Sequence, residues 1–479
     1  VNAAKTPYRR PLVAISAVAA LALAWAVPGS AATARPKTPI RHVVVIYLEN
    51  HTFDNLLGFW CNGHPGRCPD GGMPSTVTLS TGAVVTPSTA PDVVPAVQHN
   101  TNDQVEAIDG GKMDGWQKIP GCTATQNYAC ISGYRPSQVP NLAVLASDFA
   151  ISDQTFSMQN SPSWFGHLYA VAASTDGFTG SNPPVSHTPG YGWGCDSGKN
   201  ATWVNGGVIQ KEPSCIPDPA LTGPGGLPLA NGGAYAPTPV RYVPTILDRL
   251  GAAGLAWRIY GATCSTETVN AQGLDTCTSA PGGYLWSICP SFAECLYRDS
   301  SGLVPARQFT AGASHGNLPA FSVVTPPTGT NSWHNGFSIT AGDNWLGSLV
   351  SSVMNGPEWR STAVFITWDD CGCFYDQVRP GTNPDGTPQG PRVPLVIVSP
   401  YAKAGFTDTA RTTFAGILAY AEQNFGLRAL SANDAQAYAF TNAFDYTQVP
   451  LKPAQMITQP LPASARHIHP SRALENDPT

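Results

Sequence analysis

The chain reads as an α/β protein: a mostly parallel central sheet with helices on both faces and long loops inserted between its elements. Three observations predict this. Short apolar runs rich in β-branched residues recur at 42–48, 149–152 and 363–368; runs of that length and content are strands buried on both faces. Segments of helical spacing alternate with such runs, which implies parallel pairing through helical crossovers. Hydrophobic residues make up 42% of the 479, ample for a core, whereas charged residues are only 12% and Gly and Pro number 47 and 45. That balance belongs to ordered loops on a folded scaffold, since disorder needs high charge and few aromatics.

The first 34 residues predict an export signal. Lys5, Arg9 and Arg10 precede an uncharged, mostly apolar stretch at 12–27, followed by Pro28 and small residues to Ala34. The stretch is shorter than the roughly 20 residues of a membrane span. The expectation is a protein of the extracellular space or cell envelope with no stable membrane anchor after cleavage. Residues 35–479 are expected to form a single catalytic domain with insertions near 61–98, 176–240 and 262–299.

Strand 42–48 opens that domain and leads into the Gly/Pro/Thr-rich loops of 61–98. A short helix at 140–147 enters strand 149–152, and a helix at 164–173 follows Pro162-Ser163. Gly, Pro, Ser and Asn dominate 176–240. Helix 245–254 and strand 255–260 form an αβ pair before the cysteine-rich insertion. Strand 320–324 ends at Thr325-Pro326-Pro327, and helix 343–354 starts with Asp343 as N-cap. Strands 363–368 and 394–399 flank a Gly/Pro loop at 379–391. Helix 412–425 closes at Gly426, a C-terminal cap.

Twelve cysteines, an even number, behind an export signal read as a disulfide set. Close candidates are Cys61 with Cys68, Cys122 with Cys130, Cys195 with Cys215, and Cys264, Cys277, Cys289 and Cys295 among themselves. Cys371 and Cys373 read as a further disulfide, with thiolate metal ligation as the alternative. The formal charge of −5 gives no basic footprint, which argues against a nucleic-acid partner.

The three apolar runs end in polar residues: Glu49-Asn50, Asp153 and Asp369-Asp370. Ligands of parallel sheets bind outside the carboxyl ends of the strands. Acidic residues gathered there from distant parts of the sequence would converge on a cation, because adjacent like charges are costly to bury alone. The bland alternative is solvated acidic turns. Ser163, after Pro162 at a helix start, is either a hydroxyl nucleophile needing activation or an ordinary N-cap. His99 and His334 lie in loops where they could bind phosphoryl oxygens or protonate a leaving group; a surface position is the plain reading.

These residues resemble a known family, the bacterial phosphoesterases that include acid phosphatases and phospholipases C, relatives of the alkaline-phosphatase superfamily. The similarity runs through most of 40–450. Leu48-Glu49-Asn50-His51-Thr52-Phe53-Asp54 is similar to the family's Glu-Asn-x-Ser/Thr-Phe-Asp signature. His99 with Lys112-Met113-Asp114-Gly115-Trp116, Ser163 after proline, His334, and Gly342-Asp343-Asn344-Trp345 also match its pattern. So do Thr367-Trp368-Asp369-Asp370, Phe374-Tyr375-Asp376 and Arg392-Val393-Pro394. The resemblance implies an alkaline-phosphatase-like fold and one divalent cation held by Glu49, Asn50, Ser163, Asp369 and Asp370. It also implies catalysis by a Ser163 nucleophile with His99 and His334. An all-oxygen ligand set favours Mg, Ca or Mn over Zn. Gln377 and Cys373 depart from the pattern, standing where histidine and glycine are usual.

The expected activity is acid-phosphatase-like hydrolysis of a phosphate ester. The alternative is a phospholipase C or other phosphodiesterase acting on a phospholipid, with Trp193, Trp203, Tyr235 and Trp286 around a lipid-facing mouth. A reading from another class is a secreted glycan-binding protein with structural calcium.

Overall fold

The computed structural model describes residues 36–183, 193–220 apart from 196 and 198, 236–262, 287–326 and 331–465. It also describes Val1 and the short strands Gly226–Leu227, Glu267–Val269 and Asp275–Cys277. The proposed export signal, Cys264, Tyr235 and Trp286 lie outside the described residues.

The central sheet is built from β1 (His42–Leu48), β2 (Ala150–Ser152), β3 (Trp257–Ala262), β4 (Leu303–Pro305), β5 (Phe321–Val324), β6 (Thr362–Trp368), β7 (Leu395–Val398) and β8 (Thr407–Asp408). Their order across the sheet is β4-β3-β5-β1-β6-β7-β2-β8. From β4 to β6 every pairing is parallel; β7 alone runs antiparallel to both neighbours, and β2 with β8 is parallel again. The expected mostly parallel sheet is therefore present. β1 and β6 lie at its centre and are buried on both faces, save the partly exposed His42, as their continuous apolar runs require.

The helices flanking the sheet are α1 (Phe53–Gly63), α2 (Thr101–Ile108), α3 (Pro140–Asp148), α4 (Ser163–Leu168), α5 (Ile246–Ala252), α6 (Arg307–His315), α7 (Ile339–Met354) and α8 (Ala415–Phe425). Three helix boundaries differ from expectation, each for a tertiary reason. α4 stops at Leu168 because Val171 O accepts from Ile246 N at 2.8 Å and Ala172 pairs with Thr245 in a β-bridge. Thr412–Thr413 pairs with Thr155–Phe156 as a two-residue parallel ladder, which delays α8 to Ala415. α7 starts four residues early because Ser338, not Asp343, is its N-cap and accepts from Ala341 N. Asp343 instead accepts from Asn141 N and Leu142 N of α3, both at 3.0 Å. It caps a neighbouring helix whose own N-cap, Val139, has no capping side chain.

Disulfides join Cys61 to Cys68, Cys122 to Cys130, Cys195 to Cys215 and Cys289 to Cys295. The Cys371–Cys373 bridge is not formed. Both are buried thiols with their sulfurs 3.7 Å apart, well beyond the roughly 2.05 Å of a disulfide bond. Trp193 and Trp203 are buried as well, packing the inserted loops instead of lining an open mouth.

Candidate functional site

The register of β1 against β6 creates the site. Leu48 pairs with Trp368 in the last rung, so Glu49-Asn50 and Asp369-Asp370 leave the sheet side by side although 320 positions separate them. Asn50 N donates to Asp369 Oδ1 at 2.9 Å, and Asp369 N donates to Leu48 O at 2.9 Å. Asn50 has φ 59, a left-handed turn that asparagine tolerates better than most residues. The turn brings its side chain back over the strand ends. Gly372, φ 51, makes the matching turn after β6; a Cβ there would lie 2.2 Å from Asn50 O. Gly372 N in turn donates to Asp370 Oδ1 at 2.6 Å.

The Asn50 amide is the hub. On one side, Ser163 Oγ donates to Asn50 Oδ1 at 3.2 Å. On the other, Asn50 Nδ2 faces His99 Nε2 at 3.1 Å and His334 Nε2 at 2.9 Å. His99 Nδ1 lies 3.0 Å from Val97 O, and His334 Nδ1 2.9 Å from Asn335 O. Each neutral ring thus carries its proton on Nδ1 and offers the Nε2 lone pair to the amide N–H groups. Asn50 Oδ1 then points at Asp369 Oδ1 and Asp370 Oδ1, at 3.1 and 3.2 Å. Oxygen acceptors packed that closely repel unless a cation lies among them. The reverse orientation hydrogen-bonds without a cation but requires both imidazoles to be charged. Asp369 Oδ2 is also buried without a hydrogen bond. The donor set therefore fits a divalent cation.

Ser163 opens α4, and the helix is buried throughout. Gly166 permits the contact with β6: a Cβ there would meet Asp369 O at 2.6 Å. Tyr47 Oη donates to Gly166 O at 2.8 Å from within β1. Burial, then the charges of Asp369 and Glu49, hold the Tyr47 phenol well above its ordinary pKa, so it remains a donor.

His167 is a site residue the sequence reading passed over. Its Nε2 lies 2.6 Å from Glu49 Oε1 and 3.8 Å from Asp369 Oδ2. One ligand atom each from Glu49, His167 and Asp369 falls within 4.8 Å of the others. Ser163 and His167 are four residues apart on one helix and share a face, a signal present in the sequence.

Asp153, expected to converge with the other strand ends, does not. The antiparallel β7 separates β2 from β6. Asp153 sits instead beside Arg392, whose Nη1 donates to Asp153 O at 2.9 Å; burial pushes its carboxyl up to about 6. Arg392, fully buried, also bonds Asp54 Oδ1 at 2.8 Å and Asp376 Oδ1 at 3.1 Å, and stacks over Phe53. Three signature segments are thus tied together by one arginine. Lys112 is exposed and pairs with Asp109 at 3.1 Å, while Trp116 is buried.

A sequence model of the phosphoesterase family matches residues 40–428, and the chain belongs to that family. It is a hydrolase acting on phosphate esters. Non-specific phospholipase C6 of Arabidopsis thaliana is 23% identical, over 91% of this chain and 77% of its own length. Phospholipase C A of Mycobacterium tuberculosis is likewise 23% identical, over 92% of this chain and 85% of its own. Among solved structures, a protein of the alkaline phosphatase superfamily from Vibrio parahaemolyticus is 11% identical with a TM-score of 0.34, covering 84% of this chain and 72% of that one.

Proposed function

We propose that the chain is a cation-dependent phosphoesterase of the phospholipase C type, with Ser163 as nucleophile. One observation carries this reading: Asp369, Asp370 and Ser163 each bring an oxygen within 3.2 Å of a single buried side-chain atom of Asn50. Glu49, Asn50, Asp369 and Asp370 would hold the cation, with Ser163 Oγ and His167 Nε2 at its margin. When bound, a divalent ion favours the ionised hydroxyl and offsets phosphoryl charge. The imidazole widens the choice beyond the oxygen-preferring Mg and Ca toward Mn and Zn.

Ser163 Oγ, its proton released to solvent, attacks phosphorus and the bond to the leaving alcohol breaks. His99 or His334, its Nε2 lone pair freed from the Asn50 amide, takes up a proton from solvent at that atom and passes it to the departing oxygen. Water then cleaves the phosphoserine and restores the hydroxyl. Buried, preset groups supply most of the catalysis through positioning and charge.

The relatives named as phospholipases C favour a phospholipid diester over the monoester of an acid phosphatase. The glycan-binding reading loses its support, because Trp193 and Trp203 are buried. Four disulfides among the described residues agree with an oxidising, extracellular setting. No helix among the described residues is long and apolar enough to cross a membrane. The test compares a chromogenic monoester, a chromogenic diester and phosphatidylcholine on one sample. Phosphatidylcholine is expected to be turned over, and Ser163→Ala to abolish hydrolysis of every substrate. Unchanged turnover by Ser163→Ala removes the nucleophile from the mechanism.

A further inference from the structure

A three-stranded antiparallel ribbon rises from the segment after α4. Phe178–Thr179 pairs with Asn200–Asn205, which pairs with Val208–Pro213 across a Gly206-Gly207 turn. The base of this ribbon is fastened to both sides of the candidate site. Trp164, next to the nucleophile, stacks edge-on against Phe178 at 5.1 Å, and its backbone N–H donates to Asn182 Oδ1 at 2.9 Å. Thr101, at the start of the helix after His99, donates to Gly180 O at 2.7 Å.

The far end is unlike the base. Val208 is 55% and Ile209 73% exposed, and nothing lies within 4 Å of a Cβ placed on Gly206 or Gly207. The register pairs Ile209 with Val204 and Lys211 with Thr202. Ile209 and Lys211 are two apart and share a face, and Lys211 Nζ lies 2.7 Å from Thr202 Oγ1. From the tip inward that face presents Ile209 with its cross-strand neighbour Val204 and then an ammonium, about 7 Å behind Ile209 at strand rise, while Val208 leads the opposite face of the same tip. Adjacent aliphatics at a turn are costly to leave in water. Their order, apolar first and cationic second, complements the acyl edge and phosphate layer of a phospholipid surface. The buried tryptophans of the same insertion cannot supply such a contact.

We infer that the Val208-Ile209 tip is an interfacial anchor that dips into a phosphatidylcholine surface and seats the Ser163 helix over it, with Lys211 meeting lipid phosphate. The choice of lipid rests on the phospholipase reading; the anchoring itself is measured without catalysis. Vesicle flotation of the full chain in a Ser163→Ala background reads binding to phosphatidylcholine. Val208→Asp with Ile209→Asp should weaken that binding about tenfold or more, and Lys211→Glu should weaken it less. In the otherwise native enzyme the same double substitution should leave hydrolysis of a soluble chromogenic ester unchanged, which shows the fold intact.

Equal flotation of parent and double variant overturns the inference, as does a parent that does not float. Conversion of a dimer to a monomer by the double substitution, with vesicle binding unaltered, also overturns it by making the tip a contact between copies. Flotation that depends on the tip in a protein that hydrolyses no phospholipid supports the anchor and removes only the phospholipase reading.

Discussion

Gly166→Ala isolates the contact between α4, the helix that carries Ser163, and the acidic strand end, because it removes no charge, ligand or hydrogen-bonding group. A Cβ at this position would lie 2.6 Å from Asp369 O and 3.0 Å from Asp369 Cβ. Ordinary contact distance requires α4 and the 369–370 turn to separate by about 1 Å. Overpacking of this kind costs about 1–3 kcal/mol, against which alanine returns about 1 kcal/mol of helix propensity. Net stability should therefore fall by no more than about 2 kcal/mol, a small change in Tm for a chain this long. Activity should fall much further, since a 1 Å error between reacting groups costs about 100-fold. The assay pairs thermal unfolding with kcat/KM on a soluble phosphate ester. Gly251→Ala in α5 is the control, because nothing lies within 4 Å of its added Cβ; it should leave kcat/KM unaltered and raise Tm slightly. A Gly166→Ala enzyme within twofold of native kcat/KM refutes the claim that this approach sets the geometry of Ser163 and Asp369.

Two further outcomes follow from named groups. Glu422 on α8 is buried, and burial, reinforced by Asp434, raises its carboxyl from 4.5 to about 10. A folded-state value above the unfolded one favours the protonated form, so the contribution is complete below about pH 4.5 and fades as pH climbs toward 10. Denaturant titration should show Glu422→Gln gaining about 1–3 kcal/mol over native at pH 8 and nothing at pH 4; an equal effect at both values sinks the assignment. His167→Gln removes the nitrogen donor beside Glu49, and competition of Zn²⁺ against Ca²⁺, read by elemental analysis of the dialysed protein, should lose at least about tenfold of its zinc preference. An unaltered ratio takes His167 out of the cation's reach.

The sheet was legible where burial wrote it into composition. β1 and β6 are continuous apolar runs because both faces are covered, and their polar ends mark the strand edge where ligands bind. Glu49, Asn50, Asp369 and Asp370 could be singled out on that ground alone. Their mutual register could not, because pairing between strands 320 residues apart leaves no local trace. Asp153 shows the cost. Its strand runs parallel to β1 and β6, yet the antiparallel β7 between them carries its carboxylate away to Arg392. Asp343 shows the same limit in a helix: a good N-cap residue by type spends its carboxylate on α3, a contact no sequence window spans. β4 and β8, with three and two residues, are too short for any periodicity to register. His167 was within reach through its four-residue spacing from Ser163, which puts the two on one helix face.

The two departures from the family pattern separate into backbone and side-chain effects. Cys373 has φ 48, a left-handed conformation in which glycine is at no disadvantage and any other residue is strained. Part of that strain is offset locally, for Cys373 N donates to Cys371 Sγ at 3.1 Å. Cysteine in place of glycine therefore costs stability at the turn, while the turn itself, which aims Asp370 through Gly372 N, keeps its shape. Gln377 is different in kind. Its backbone N–H still donates to Asp54 Oδ2 at 3.1 Å, as part of the Arg392 group, but its side chain reaches away to Gly72 O at 3.0 Å. A histidine at this position would share that backbone anchor and could direct its ring elsewhere. The glutamine thus keeps the scaffold of the signature and gives up a titratable group beside it, which on the proposed mechanism leaves His99, His167 and His334 as the imidazoles of the site.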